Sequence, residues 1–275
     1  MIPKPTRPLV VFRVDGSTRI GTGHVMRCLT LADALAARGM QCLFVARTLD
    51  TSLADRVRRS GHDVHALPPG GPAPDSADPY SAWLGTSEQH DARATVEALS
   101  ATPIAIVVDH YALGAAWERI VAEALGAPIL AIDDLERSHA AQLVVDTTFG
   151  KPPNAYEGLI SPDATALVGA QYALLRPDFS KTRASALARR EHDLAAGKPA
   201  RNVLIAMGGG DEHDATGWVL DGLAPLAEAH DLTLHALIGA AYPHGTTLAQ
   251  RAERLGARLV IHRDVWDMAA LLARM

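Results

Sequence analysis

Short apolar runs alternate along this chain with stretches whose apolar residues recur at helical spacing, and that rhythm predicts a mostly parallel sheet covered by helices. The first run, Pro8–Val14, is short and rich in β-branched residues, as a strand buried on both faces requires. Val25, Cys28, Leu29, Ala32, Leu35 and Ala36 then follow a helical period, which predicts a helix from about His24 to Arg38 that Gly39 stops. Further strands are predicted over Gln41–Arg47, Asp63–Leu67, Ile104–Asp109, Pro128–Asp133, Gln142–Asp146 and Ala166–Gly169. The Pro/Gly-rich stretch Pro68–Pro79 reads as a flexible surface loop.

A second alternation begins near residue 200. Arg183–Ala196 predicts a charged, Ala-rich helix, and Gly197–Ala200 a connector. Then come a strand at Arg201–Met207, a helix at about Asp214–Glu228, a strand at Leu232–Ile238, a helix around Leu248–Leu255, a strand at Arg258–Ile261 and a helix at Val265–Arg274. A domain boundary is therefore expected within 180–200. It separates an N-terminal Rossmann-like domain over residues 8–182 from a C-terminal one over 201–275. The second, with three evident strands, is expected to be partial.

Composition narrows the class. A chain of 275 residues with 48% hydrophobic content and mean hydropathy +0.05 can build the core of an α/β enzyme. Its net charge of −5 and pI near 6.2 argue against a dedicated nucleic-acid or anionic-membrane binder. The two cysteines, Cys28 and Cys42, read as small core residues of a reduced cytosolic protein. No run approaches the roughly 20 apolar residues of a membrane span, and the run after the Met1–Arg7 tail is too short for a signal peptide. A cytoplasmic location without membrane insertion is the expectation.

Candidate chemistry gathers where predicted strands end. Asp15 to Arg27 leaves the first strand, turns through Gly21 and Gly23 and opens a helix on His24. Such glycines let backbone approach a ligand, and the unpaired N–H groups of a helix start attract anions such as a diphosphate. The same helix end favours the neutral, proton-accepting form of His24. The stretch is neither a dinucleotide fingerprint, because Met26 stands where the third glycine would be, nor a P-loop. An incidental exposed histidine on a packed glycine turn fits the spacing equally well.

Aspartates close four strands, at Asp15, Asp109, Asp133–Asp134 and Asp146, where open parallel sheets form their ligand crevice. They suit orienting a histidine, binding sugar hydroxyls or holding a metal, and equally suit starting turns. Asp109, His110 and Tyr111 set an acid, an imidazole and a phenol together. A metal bound by Asp109, His110, Asp133 and His139 matches no recognised ligand spacing. His62, His65, His90, His192 and His230 read as solvated. In the second alternation Met207 is followed by Gly208, Gly209, Gly210 and Asp211, a second strand-glycine-helix turn suited to an anion.

Taken in order, these motifs resemble one family. Arg13-x-Asp15-x-Ser17-x-x-Ile-Gly21-x-Gly23-His24-x-x-Arg27, Asp109-His110-Tyr111, Asp133-Asp-Leu-x-Arg-x-His139, Leu167-Val-Gly-x-x-Tyr-Ala-Leu-Leu-Arg176-Pro-Asp-Phe179 and Gly208-Gly-x-Asp211 resemble the UDP-sugar hydrolases of pseudaminic acid biosynthesis. The resemblance implies a glycosyltransferase-B fold, in which two Rossmann-like domains face a cleft. It also implies hydrolysis of UDP-2,4-diacetamido-2,4,6-trideoxy-β-L-altropyranose to the free sugar and UDP, with water as acceptor and inversion at the anomeric carbon.

Carried over by position, His24 is the base that activates water and Tyr111 reaches the sugar or the water. Asp15, Ser17, Gly21, Gly23, Arg27, Asp109 and His110 line the sugar side, with Gly208, Gly209, Gly210 and Asp211 on the nucleotide side. Arg176 suits a phosphate or, equally, an ion pair at the domain junction. No metal or other cofactor is implied, and the expected partner is the UDP-sugar alone. The chain departs from the family at Thr147-Thr148, where Gln-Asn is usual, and at Asp214, where Asn is usual. It also stops before the family's last segment, which grips the nucleoside, so a fragment or a divergent member is expected. An inverting UDP-sugar glycosyltransferase and a noncatalytic binding remnant are the competing functions on the same fold.

Overall fold

The computed structural model describes residues 7–71, 79–208, 210–239, 242–263, 265 and 267–275. Within them the chain divides into two compact units, Met1–Leu175 and Arg176–Met275. Most of the N-terminal tail, residues 72–78 of the expected surface loop and Gly209 lie outside the described residues.

In the first unit the elements are β1 (Leu9–Val14), α1 (Gly23–Ala36), β2 (Gln41–Ala46), α2 (Thr51–Arg59), β3 (Asp63–Ala66), α3 (Ser81–Leu84), α4 (Glu88–Ala98), β4 (Ala105–Asp109), α5 (Ala115–Leu125), β5 (Ile129–Ile132), β6 (Leu143–Asp146) and β7 (Thr165–Val168). The strands form one parallel seven-stranded sheet in the order β3-β2-β1-β4-β5-β6-β7. Every predicted strand is present, with ends shifted by one or two residues.

The alternation of side chains along β1 explains the layers. Leu9 and Val11 join a core with Trp117 and Val121 of α5 and Ala92 of α4, whereas Val10, Phe12 and Val14 join Val25, Cys28 and Leu29 of α1 and Leu53 and Val57 of α2. Helices thus cover both faces, which is why β1 is apolar throughout except at Arg13. Cys28 and Cys42 are buried free thiols, as expected of core residues. Strand order reverses at β1, where β2 leads one way and β4 the other. In an open parallel sheet this switch point is where a ligand crevice forms.

The second unit contains α6 (Pro177–Ala195), β8 (Asn202–Ala206), α7 (Ala215–Ala229), β9 (Thr233–Ile238), α8 (Gly245–Leu255), β10 (Leu259–Arg263) and α9 (Met268–Leu272). Its three strands form a parallel sheet ordered β10-β9-β8, with Ile205, Leu220, Leu234, Ala236, Ile238 and Leu248 in its core. The helix predicted from Arg183 begins six residues earlier, because Pro177 occupies a first-turn position where its missing N–H costs nothing. None of its side chains is buried, so apolar periodicity could not mark its start. No helix among the described residues is long and apolar enough to cross a membrane.

Candidate functional site

The sequence from Asp15 to His24 folds as a tight corner. The Ser17 carbonyl accepts the Gly21 N–H at 2.7 Å and its hydroxyl accepts the Ile20 N–H at 3.2 Å, which closes a turn that Gly21 completes at φ +88°. A Cβ on Gly16 would stand 2.5 Å from Val25 Cγ2 and 2.9 Å from Leu53 Cδ1, so only glycine lets β1 pass this close to α1. The N-cap Thr22 makes no side-chain capping bond, and the first turn of α1 begins at Gly23 and His24. Ser17, Gly21 and Gly23 therefore shape the corner and leave the first-turn amides of α1 to solvent or ligand.

His24 meets the far side of the switch point. Its Nδ1 lies 2.6 Å from Asp109 Oδ1 at the end of β4, where Val14 and Asp109 are register partners. Arg27, one turn along α1, donates Nε to Asp109 Oδ2 at 2.6 Å and Nη2 to Oδ1 at 2.7 Å, and reaches Asp134 at 3.3 Å. Burial alone would raise the Asp109 carboxyl, but the hydrogen bonds from Arg27 and His24 outweigh it and hold the group below its ordinary value of 3.8. An ionised Asp109 accepts a hydrogen bond from Nδ1–H, so the proton stays on Nδ1 and the Nε2 lone pair faces outward. Among the described residues Nε2 has no hydrogen-bond partner, and His24 keeps 8% of its surface.

Tyr111 stands edge-on to His24, with ring centroids 4.7 Å apart. Burial and a hydrogen bond to Asp134 push its hydroxyl well above the usual phenol range. The ring also lies beneath the Arg137 guanidinium at 5.9 Å, and Arg137 is fixed by Asp133 at 2.8 Å and by the Tyr111 and Leu113 carbonyls. Tyr111 is thus held firmly beside the histidine, its hydroxyl donating to Asp134.

Two of the predicted polar residues serve the scaffold. Asp15 is fully buried, accepts from Arg13 Nη1 at 2.6 Å and the Arg47 N–H at 2.8 Å, and lies 3.3 Å from His110 Nε2. Burial would raise its carboxyl, but Arg13 and His110 pull it far down. His110 is buried too, and its Nδ1 accepts the Ala112 N–H at 3.0 Å. Sequence reasoning missed the acid that completes this cluster. Asp91 on α4 accepts Arg13 Nε at 2.9 Å, Arg47 Nη2 at 2.9 Å and Trp117 Nε1 at 3.0 Å, with no exposure of its own. Arg13, inside a strand covered on both faces, was the available signal, since a buried guanidinium demands a buried acid.

Of the four residues of the conceivable metal set, Asp133 and His139 share one network and Asp109 and His110 belong to two others. Asp109 serves His24 and Arg27, and His110 belongs with Asp15. His139 binds Glu118 at 2.7 Å and lies 3.4 Å from Asp133. Among the described residues no group of His, Cys, Asp or Glu is set to hold a metal. Tyr156 bridges Asp133 and Asp146 at 3.0 Å each, and Lys151 pairs with Asp146 at 2.7 Å, so the strand-end acids at β5 and β6 are also buried with partners. The reading of His62 as solvated is corrected. It is 5% exposed, packs on Phe44 and bonds Asp33 at 2.8 Å, because the turn after α2 folds it back against α1.

In the second unit the glycine turn behaves differently from the first. Gly208 takes φ +91°. Asp211 accepts the Ala215 and Thr216 N–H groups at 2.8 and 2.9 Å, and Asp214 accepts the Gly217 N–H at 3.2 Å. The start of α7 is therefore capped by the chain's own carboxylates. Asp214 is further held by Tyr242 and by Arg251 at 2.8 Å, a grip that an Asn would weaken by removing its charge. Arg176 precedes α6, with its guanidinium 5.9 Å from the Phe179 ring centre.

No family model matches the chain. It is 25% identical over 170 residues to the UDP-2,4-diacetamido-2,4,6-trideoxy-β-L-altropyranose hydrolase of Campylobacter jejuni, covering 62% of this chain and 53% of that protein. The chain spans about half the length of the curated relatives it matches. Among solved structures it is similar to MurG of Acinetobacter baumannii, with TM-score 0.56 and 14% identity over 97% of this chain and 70% of that one. It is also similar to UGT2 of Phytolacca americana complexed with UDP-2-fluoro-glucose and pterostilbene, with TM-score 0.57 and 14% identity over 94% of this chain and 72% of that one. The fold is of the glycosyltransferase-B type, and the motif resemblance to the diacetamido-trideoxy-altropyranose hydrolases is matched by 25% identity to one of them over 170 residues.

Proposed function

We propose that this chain acts on a nucleotide sugar as an inverting, metal-independent UDP-sugar hydrolase, with UDP-2,4-diacetamido-2,4,6-trideoxy-β-L-altropyranose as substrate. The observation that carries the reading is the His24 imidazole, held by Asp109 through Nδ1 at the open start of α1 with Nε2 unpartnered. The 25% identity to a hydrolase of that name supports the substrate.

In this mechanism Nε2 removes a proton from water as the water oxygen attacks the anomeric carbon. The bond from that carbon to the UDP oxygen breaks, and its electron pair leaves on UDP. Asp109 stabilises the imidazolium as it forms, in the manner of the third member of a catalytic triad. Arg27 keeps Asp109 ionised and oriented, and Tyr111 positions the water or the sugar beside Nε2. The uncapped first-turn amides of α1 stabilise developing negative charge. Gly208, Gly210 and Arg176 are the second unit's candidates for the UDP phosphates, Asp211 instead holding the helix that follows. A cytoplasmic location and a role in supplying pseudaminic acid belong to the same reading.

Proton NMR of the UDP-sugar in the presence of the protein and water tests it. Free sugar with inverted anomeric configuration is expected, at a rate unaffected by EDTA. Release of UDP only when a sugar or lipid acceptor is added would assign a glycosyltransferase instead, and binding without turnover would assign a noncatalytic role.

A further inference from the structure

The aromatic surface beside His24 extends past Tyr111. Tyr80 and Trp83 stand 4.9 and 5.8 Å from the Tyr111 ring centre and 4.9 Å from each other, so a continuous group of rings begins at the imidazole and runs onto α3. The three side chains are half-buried. Their support is rigid. Leu84, in the same short helix, is 2% exposed in the first core. Gly85 ends the helix at φ +64°, and a Cβ on Gly70 would lie 2.1 Å from the Gly85 carbonyl oxygen, so the two backbone segments pass in direct contact.

The geometry points to Tyr80 and Trp83 as specificity-determining residues that receive the apolar substituents of the sugar. This rests on the reading of His24 as the base acting at an anomeric carbon. A sugar placed there with a methyl at C6 and N-acetyl groups lays C–H and methyl surface on the rings, removing apolar area of both from water. A hexose with a hydroxymethyl at that place would lose hydration of the hydroxyl against the rings with no acceptor or donor returned. The class selected is therefore 6-deoxy, N-acylated UDP-hexoses over those that keep a hydroxymethyl group.

Binding isotherms test this in the His24→Asn background, where turnover does not consume the ligand. UDP, UDP-N-acetylglucosamine and the diacetamido-trideoxy UDP-sugar are compared. The last is expected to bind about tenfold more tightly than UDP-N-acetylglucosamine, the scale on which apolar pockets discriminate one small substituent. Trp83→Ala and Tyr80→Ala should bring that ratio near unity and leave UDP affinity unchanged, while Trp83→Phe retains most of the preference. Circular dichroism confirms that each variant folds. No preference in the parent, a ratio unmoved by both alanine variants, or no binding of either sugar overturns the proposal. Hydrolysis does not enter the readout, so a preference found with a protein that proves not to hydrolyse sinks the hydrolase reading alone.

Discussion

His24 and Asp109 are 85 residues apart in sequence and 2.6 Å apart in space, joined because β1 and β4 are parallel neighbours and their ends align. The sheet's switch point thus builds the dyad, and neither residue's own segment contains the information alone.

Asp109→Asn should separate this orienting role from ligand binding. An amide can present its N–H to Nδ1 and reverse the tautomer, which removes the lone pair from Nε2. A fall in kcat of about 100- to 10,000-fold is expected, the scale seen when a triad acid becomes its amide. UDP affinity should be little changed. Steady-state kinetics beside UDP titration calorimetry checks both, and a change confined to KM would count against the assignment.

Gly16→Ala should damage the site from behind. The added Cβ meets Val25 Cγ2 at 2.5 Å, and Val25 adjoins His24 on α1. Overpacking of this kind costs about 1–3 kcal/mol. Displacement of the imidazole should lower kcat by about tenfold or more, since misplacements near 1 Å cost up to about 100-fold. Urea melts and kinetics on one preparation read both effects.

Much of this arrangement was legible beforehand, and the exceptions share a cause. The strands of the large sheet, helix α1 and the corner holding His24 follow from periodicity and glycine placement, which are local. Asp15 and His110 stand at strand ends, a position that suggests a ligand-facing role. Their burial depends on Arg13, Arg47 and Asp91, brought together from β1, the end of β2 and α4. Tyr80 and Trp83 give no signal either, because the four-residue helix that holds Trp83 and has Tyr80 as its N-cap has too few turns for a period, and their relation to Tyr111 is tertiary.

Asp91→Ala should be among the most damaging core substitutions. It removes the acid shared by two buried guanidinium groups, Arg13 with no exposure and Arg47 with 2%, leaving Arg13 with Asp15 and Arg47 with the Pro68 carbonyl, and it removes the acceptor of Trp117. Loss of one partner from a buried ion pair costs about 3–5 kcal/mol. Chemical denaturation gives the value, and a cost below about 1 kcal/mol would mean that the cluster relaxes into water.

His139 should make stability fall on the alkaline side. Burial alone would lower its pKa, but hydrogen bonds to Asp133 and Glu118 raise it from 6.5 to about 9. A group with a raised folded-state pKa stabilises fully below its unfolded value and ceases to do so as pH rises through the folded one. The contribution is thus present below pH 6.5 and lost by about pH 9. Thermal melts across that window should show a falling melting temperature, and His139→Gln should flatten the decline while lowering stability near neutrality.

The most direct test of His24 as the base is single-turnover release of UDP from the diacetamido-trideoxy UDP-sugar by the wild-type chain and by His24→Asn, with UDP binding measured on both. The account predicts release by the wild type without an acceptor, a rate lower by about 100-fold or more in the variant, and equal UDP affinity. A His24→Asn chain that releases UDP at nearly the wild-type rate would contradict it.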